Sequence, residues 1–97
     1  MTLRLSMDEL VNAVCLNMAM RRQVQPSDVE VELCWDEEYG FTAQVWIQGR
    51  QQYLVEMNLL EAIEQYAHQH YGHRVFRSDI QLNVNDEEMW ADVNVSA

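Results

Sequence analysis

Residues 29–35 alternate strictly, and that alternation constrains the fold more than any other feature of the chain. Val29, Val31, Leu33 and Trp35 fall on one side and Glu30, Glu32 and Cys34 on the other. A period of two is the mark of a β-strand with one buried and one solvated face. The cluster Asp36-Glu37-Glu38-Tyr39-Gly40 reads as a turn. Residues 41–48 then alternate again, Phe41, Ala43, Val45 and Ile47 against Thr42, Gln44, Trp46 and Gln48. Setting Trp35 opposite Phe41 brings Leu33 to Ala43 and Val31 to Val45, so both strands share one apolar face. A slip by one residue would turn every side chain over. Gly49-Arg50 suits a two-residue turn with Gly in the first central place. A third strand at about 51–57 follows. Its register is open; a two-residue turn places Tyr53 beside Trp46 on the outer face and Leu54 beside Val45 inside.

Ser6-Met7-Asp8-Glu9 is a capping box, with Ser6 able to bond the Glu9 amide and Glu9 able to reach back. Met7, Leu10, Val11, Val14 and Met18 recur at helical spacing, Arg21 and Arg22 complement the C-terminal end, and Pro26 ends any continuation. The first helix is predicted at about 7–22. Asn58-Leu59-Leu60-Glu61 reads as a second capping box. Leu59, Leu60, Ile63, Tyr66, Ala67 and His70 form its stripe and Gly72 its stop, which predicts a helix at about 59–71. Strands at 79–85 and 89–95 follow, Ile80, Leu82 and Val84 pairing with Ala91, Val93 and Val95 around the turn Asp86-Glu87-Glu88.

The halves echo each other: Ser27-Asp28-Val29-Glu30-Val31-Glu32-Leu33 resembles Ser78-Asp79-Ile80-Gln81-Leu82-Asn83-Val84, each after a capped helix and before an Asp-Glu-Glu turn. The fold class expected is α+β, a pseudo-duplicated α-β-β(-β)-α-β-β chain in which one antiparallel sheet carries two helices on one face. Its 97 residues make a single domain over 1–97, with repeat halves at about 6–48 and 58–96.

The chain carries sixteen carboxylates against six arginines, no lysine, and a net charge of −10. Binding phosphates needs clustered cations, so neither nucleic acid nor an anionic membrane is an expected partner. No apolar run is long enough for a bilayer span. Met1 to Ser6, followed by Asp8 and Glu9, makes a poor secretory signal. The two cysteines sit in unlike elements and read as reduced thiols, which points to a cytoplasmic protein.

Three stretches, Asp8-Glu9-Leu10-Val11-Asn12-Ala13-Val14-Cys15-Leu16, Val29-Glu30-Val31-Glu32-Leu33 and Tyr39-Gly40-Phe41-Thr42-Ala43, resemble the YxcD-like family of small uncharacterised bacterial proteins. The resemblance covers most of the first half. It implies a cytoplasmic bacterial protein and brings no catalytic residue with it. The element order is also similar to that of secretion-chaperone-like domains, which are small, acidic and dimeric, although their final helix has no counterpart here.

No motif specifies chemistry. His68 and His70 diverge by roughly 200° on a helix and cannot share an ion, and His73 lies past its end. The acidic turns lack the glycine and alternating ligands of a calcium loop. Neither a metal nor a cofactor is expected. Cys34, beside Glu32 and Asp36, is a poor nucleophile, and Cys15 reads as a small buried hydrophobe. Two features remain. The first helix carries a second apolar stripe, Ala13, Leu16 and Met20, which a two-layer domain would leave in water; it is the expected homodimer interface. Trp46 and Trp90 stand on the outer sheet face with Glu30, Glu32 and Asp92, a candidate polar-ligand site. The leading expectation is a non-enzymatic homodimeric interaction or adaptor protein with a possible protein partner. The alternatives are a polar-ligand module on the tryptophan face and a small enzyme with Glu30, Glu32 or Asp92 as general base.

Overall fold

A computed structural model describes residues 1–95. Residue 96, the expected end of the second repeat, lies outside the described residues. The strands are β1 (Thr2–Leu5), β2 (Val29–Asp36), β3 (Gly40–Ile47), β4 (Arg50–Leu54), β5 (Ile80–Val84) and β6 (Met89–Asn94), and the helices are α1 (Met7–Arg22) and α2 (Glu56–Tyr71). Short 3₁₀ turns, Pro26–Asp28 and Arg77–Asp79, lead into β2 and β5. The fold is α+β, but it holds two three-stranded antiparallel sheets, ordered β2-β3-β4 and β1-β6-β5. The expectation of one sheet is therefore corrected. Alternation fixes pairing within each hairpin, whereas nothing in it joins β2 to β5.

The β2–β3 register is the one read from the alternation, with Trp35 opposite Phe41, Leu33 opposite Ala43 and Val31 opposite Val45. The turn into β4 differs. Ile47 pairs with Arg50, so the central residues are Gln48 and Gly49, at φ of 51° and 79°. Two left-handed residues make the turn whose twist matches a tight hairpin, and Gly49 adopts it without steric cost. Tyr53 then faces Gln44 and Leu54 faces Ala43, two places from the expected register but on the same sides of the sheet.

Helix α1 begins as its sequence predicts: the Glu9 amide donates to Ser6 Oγ at 3.2 Å and the Ser6 amide donates to Glu9 Oε1 at 3.3 Å. Helix α2 starts earlier than expected. Asn58 is its third residue, not its cap, and its Oδ1 accepts from the Val55 amide at 3.0 Å. Both 16-residue helices end on a left-handed residue, Gln23 for α1 and Gly72 for α2.

The element order strand, helix, 3₁₀ turn, strand, strand runs through the chain twice, and a strand opens each run where the expected halves began on helices. The opening strands cross over. β4, which leads into α2, completes the sheet of the first hairpin, and β1, which leads into α1, completes the sheet of the second. Leu5 is fully buried beside Ala91, and Met1 and Val95 close that sheet's end.

Both helices serve both sheets. Val14, Met18, Leu59 and Ala62 pack on Val29, Ala43, Val45 and Ile47. Leu10, Ala13, Ile63 and Ala67 pack on Leu5, Leu82, Ala91 and Val93. Burying each such Leu or Ile stabilises the fold by about 1.5–3 kcal/mol. Asn17, buried between the helices, donates to Gln65 Oε1 at 2.6 Å. This seam corrects the reading of the second stripe of α1. Ala13 is 2% exposed inside the core, Leu16 is half-buried against it, and only Met20 stands in solvent. A helix packed against a sheet and a neighbouring helix hides a wide arc without any dimer. Among the described residues no helix is long and apolar enough to cross a membrane.

Candidate functional site

The expected tryptophan site is divided by the split in the sheets. Trp46, Glu30 and Glu32 belong to the β2-β3-β4 sheet, and Trp90 and Asp92 to the other. Trp46 pairs with Glu30 across β2 and with Gln51 across β4. With Asp28, Glu30, Glu32, Gln48 and Gly49 it lines an open depression of about 450 Å³. The alternation places Glu30, Glu32 and Trp46 together; Asp28 and the Gln48-Gly49 turn join them only through the 3₁₀ turn and the corrected hairpin geometry.

Trp90 has a different setting. The Arg4 guanidinium lies over its ring, 5.4 Å from the centroid, and grips Asp92 at 2.9 and 3.4 Å. Asn83 donates to the same carboxylate at 3.2 Å. The Trp90 indole N–H is buried and, among the described residues, meets no acceptor in good hydrogen-bond geometry. The hydrogen bond and charge of Arg4 hold the Asp92 carboxyl below its usual range. This weakens Asp92 as a general base. Arg4 is in β1, across from Asp92 of β6, and no short-range pattern connects them.

The thiols are both free. Burial pushes the Cys15 thiol up, and at Cys34 burial, followed by Glu32 and Asp36, does the same. Both effects disfavour the thiolate that nucleophilic chemistry needs. His70 stacks on Tyr66 at 4.5 Å between centroids, and His68 opens into a cleft of about 470 Å³ shared by Arg21, Arg74, Glu61 and Glu64. Glu64 pairs with Arg77 at 3.4 Å. Among the described residues no three His, Cys, Asp or Glu side chains are grouped to hold a metal ion.

A site missed in the alternation lies where the two sheets part. Trp35, on the inward side of β2, lies at the margin of the core near the first residue of α1 and is 46% exposed. It lines a cleft of about 260 Å³ with Met7, Leu33, Val84 and Met89, and the acidic turn Asp86-Glu87-Glu88 forms the rim. Val84, at the end of β5, is 37% exposed. The other acidic turn begins at Asp36, directly after Trp35. A tryptophan adjoining an acidic turn is the sequence signal that could have marked it.

A family model described as "Protein of unknown function (DUF2653)" matches residues 1–87. Searches of curated proteins and of solved structures returned no match.

Proposed function

This chain belongs to the DUF2653 family of proteins of unknown function, and from that premise we propose that it is a non-enzymatic interaction protein whose contact surface is the cleft between its two sheets. One observation carries the reading: Trp35 and Val84 are held in solvent by rigid strands over an apolar floor and beside an acidic rim. Exposed aromatic side chains in such settings dominate the energy of protein contacts. We place it in the bacterial cytoplasm, in line with the resemblance to YxcD-like proteins. Nucleic acid is not among the partners we propose, because six arginines under a net charge of −10 disfavour phosphate binding.

The homodimer remains part of the proposal, but not through Ala13. Of the second stripe of α1 only Met20 and the edge of Leu16 are left for such an interface, far less than a stable one needs. The internal order read as a pseudo-duplication belongs here too, as the origin of the two crossed halves. Affinity capture with the parent and with Trp35→Ser as baits tests the function. Partners held by the parent and lost by the variant support it; a parent that holds nothing specific ends it.

A second reading is favoured by the contrast between the tryptophans. Trp90 already carries a guanidinium over its face, whereas Trp46 has three carboxylates around it and no cation. That arrangement suits a small organic cation. Tetramethylammonium should shift the Trp46 indole resonance and leave Trp90 unmoved; equal or absent shifts remove this reading.

A further inference from the structure

Resting on the interaction reading above, we propose that the cleft between the sheets receives an extended, basic segment of a partner protein, which inserts an apolar side chain against Trp35 and Val84. The size of the cleft sets the first limit. At about 260 Å³ it lies below the range of ~300–1,000 Å³ typical of small-molecule sites. It has room for a side chain or two, not for a whole cofactor. The floor of Met7, Leu33 and Met89 is apolar, and methionines there adapt to differently shaped aliphatic guests.

Charge sets the second limit. No arginine or histidine lines this cleft, while Asp86, Glu87 and Glu88 form its rim and Asp36, Glu37 and Glu38 follow Trp35. Cations flanking the inserted side chain meet complementary potential, which raises the rate of encounter and fixes orientation. A second copy of this chain would bring identical acidic turns against these, and a nucleic acid would bring phosphates; both are repelled. Backbone geometry sets the third. Among the described residues β2 pairs only with β3, and β5 only with β6, so each presents an unpaired edge beside the cleft. A segment entering in extended form can meet those unpaired amides and carbonyls.

Calorimetric titration of the whole chain with a capped heptapeptide of alternating arginine and leucine tests the proposal. Two control peptides replace every leucine by serine or every arginine by glutamate. The parent should bind the arginine–leucine peptide, more weakly as salt is raised, and bind neither control comparably. Trp35→Ser and Val84→Arg should each weaken binding by about tenfold or more. The triple variant Asp86→Asn, Glu87→Gln, Glu88→Gln should flatten the salt dependence. Trp35 and Val84 are exposed, and circular dichroism checks that each variant folds. Glu30→Gln and Trp46→Ala should leave binding unchanged. Equal binding of the serine control would show attraction by charge alone and overturn the proposal, as would binding that survives Trp35→Ser and Val84→Arg. Loss with Trp46→Ala instead would move the contact to the outer face, sparing the interaction reading while removing this cleft. If capture by the parent is also empty, the interaction reading itself falls.

Discussion

Val45 is completely buried, while Val31, its cross-strand partner on the same face, is only half-buried. An unpaired carboxylate is costly in proportion to the water it loses. Val45→Asp is expected to cost about 4 kcal/mol or more, and Val31→Asp roughly half as much, by urea unfolding. Equal costs would mean that the edge of the core is drawn in the wrong place. Tyr71 gives a second residue-level test. Its hydroxyl donates to Glu9 Oε2, which also accepts from Tyr66 at 3.4 Å. The bond to the Glu9 carboxylate pushes the Tyr71 pKa up to about 12. The folded state therefore holds this proton more tightly than the unfolded chain, whose phenol ionises near ~10. The stabilisation is complete below that pH and is lost as pH rises through about 12. Thermal midpoints of the parent should fall more steeply across this window than those of Tyr71→Phe; parallel curves would show that the bond contributes nothing. Alternation alone could assign Val31, Val45 and Trp35 to one face. How far each is covered depends on where the helices end above them, so Trp35 read as core and stands in solvent.

At the scale of elements, the two helices close differently. Gln23 adopts the left-handed conformation at φ of 56°, and Gly72 the equivalent one at 70°. A Cβ is strained there. Gln23→Gly should raise stability by about 0.5–1 kcal/mol in chemical denaturation; a loss would mean that the Gln23 side chain contributes more than its backbone strain costs. Leu16→Glu tests the surroundings of α1. Because Leu16 packs against the core of the second sheet, the charge should lower the melting temperature, with sedimentation unchanged from the parent. A folded variant that converts a dimeric parent to monomer would restore the helix interface. The first helix was legible to the residue, since Ser6, Glu9 and the apolar spacing agree. The start of the second was not: Asn58 works as well from the third position as from the cap, and only the path of β4 decides which. The same holds for Gln48-Gly49, where pairing across the hairpin selects the turn from two adjacent dipeptides.

Across the whole molecule, pairing between neighbours in sequence was readable and pairing between distant segments was not. β1 has four residues, too few for a periodic signal, and its partner β6 lies at the far end of the chain. The two sheets and the cleft between them follow from such distant placement, which is why Trp35 and Val84 meet without any shared motif. Leu5 gathers this dependence into one side chain. Leu5→Ala should cost about 2–5 kcal/mol, measurable as a lowered denaturation midpoint; a change below about 0.5 kcal/mol would mean that β1 is dispensable to the second sheet.

The crossing of β1 into the sheet of β6 also sets a timetable. On a ribosome adding about 5–20 residues per second, residues 2–5 emerge on the order of ten seconds before residues 89–94 exist. Through that interval Leu3 and Leu5 have no strand to lie against, and the nascent chain exposes to chaperones and proteases a leucine, Leu5, that the finished molecule encloses completely.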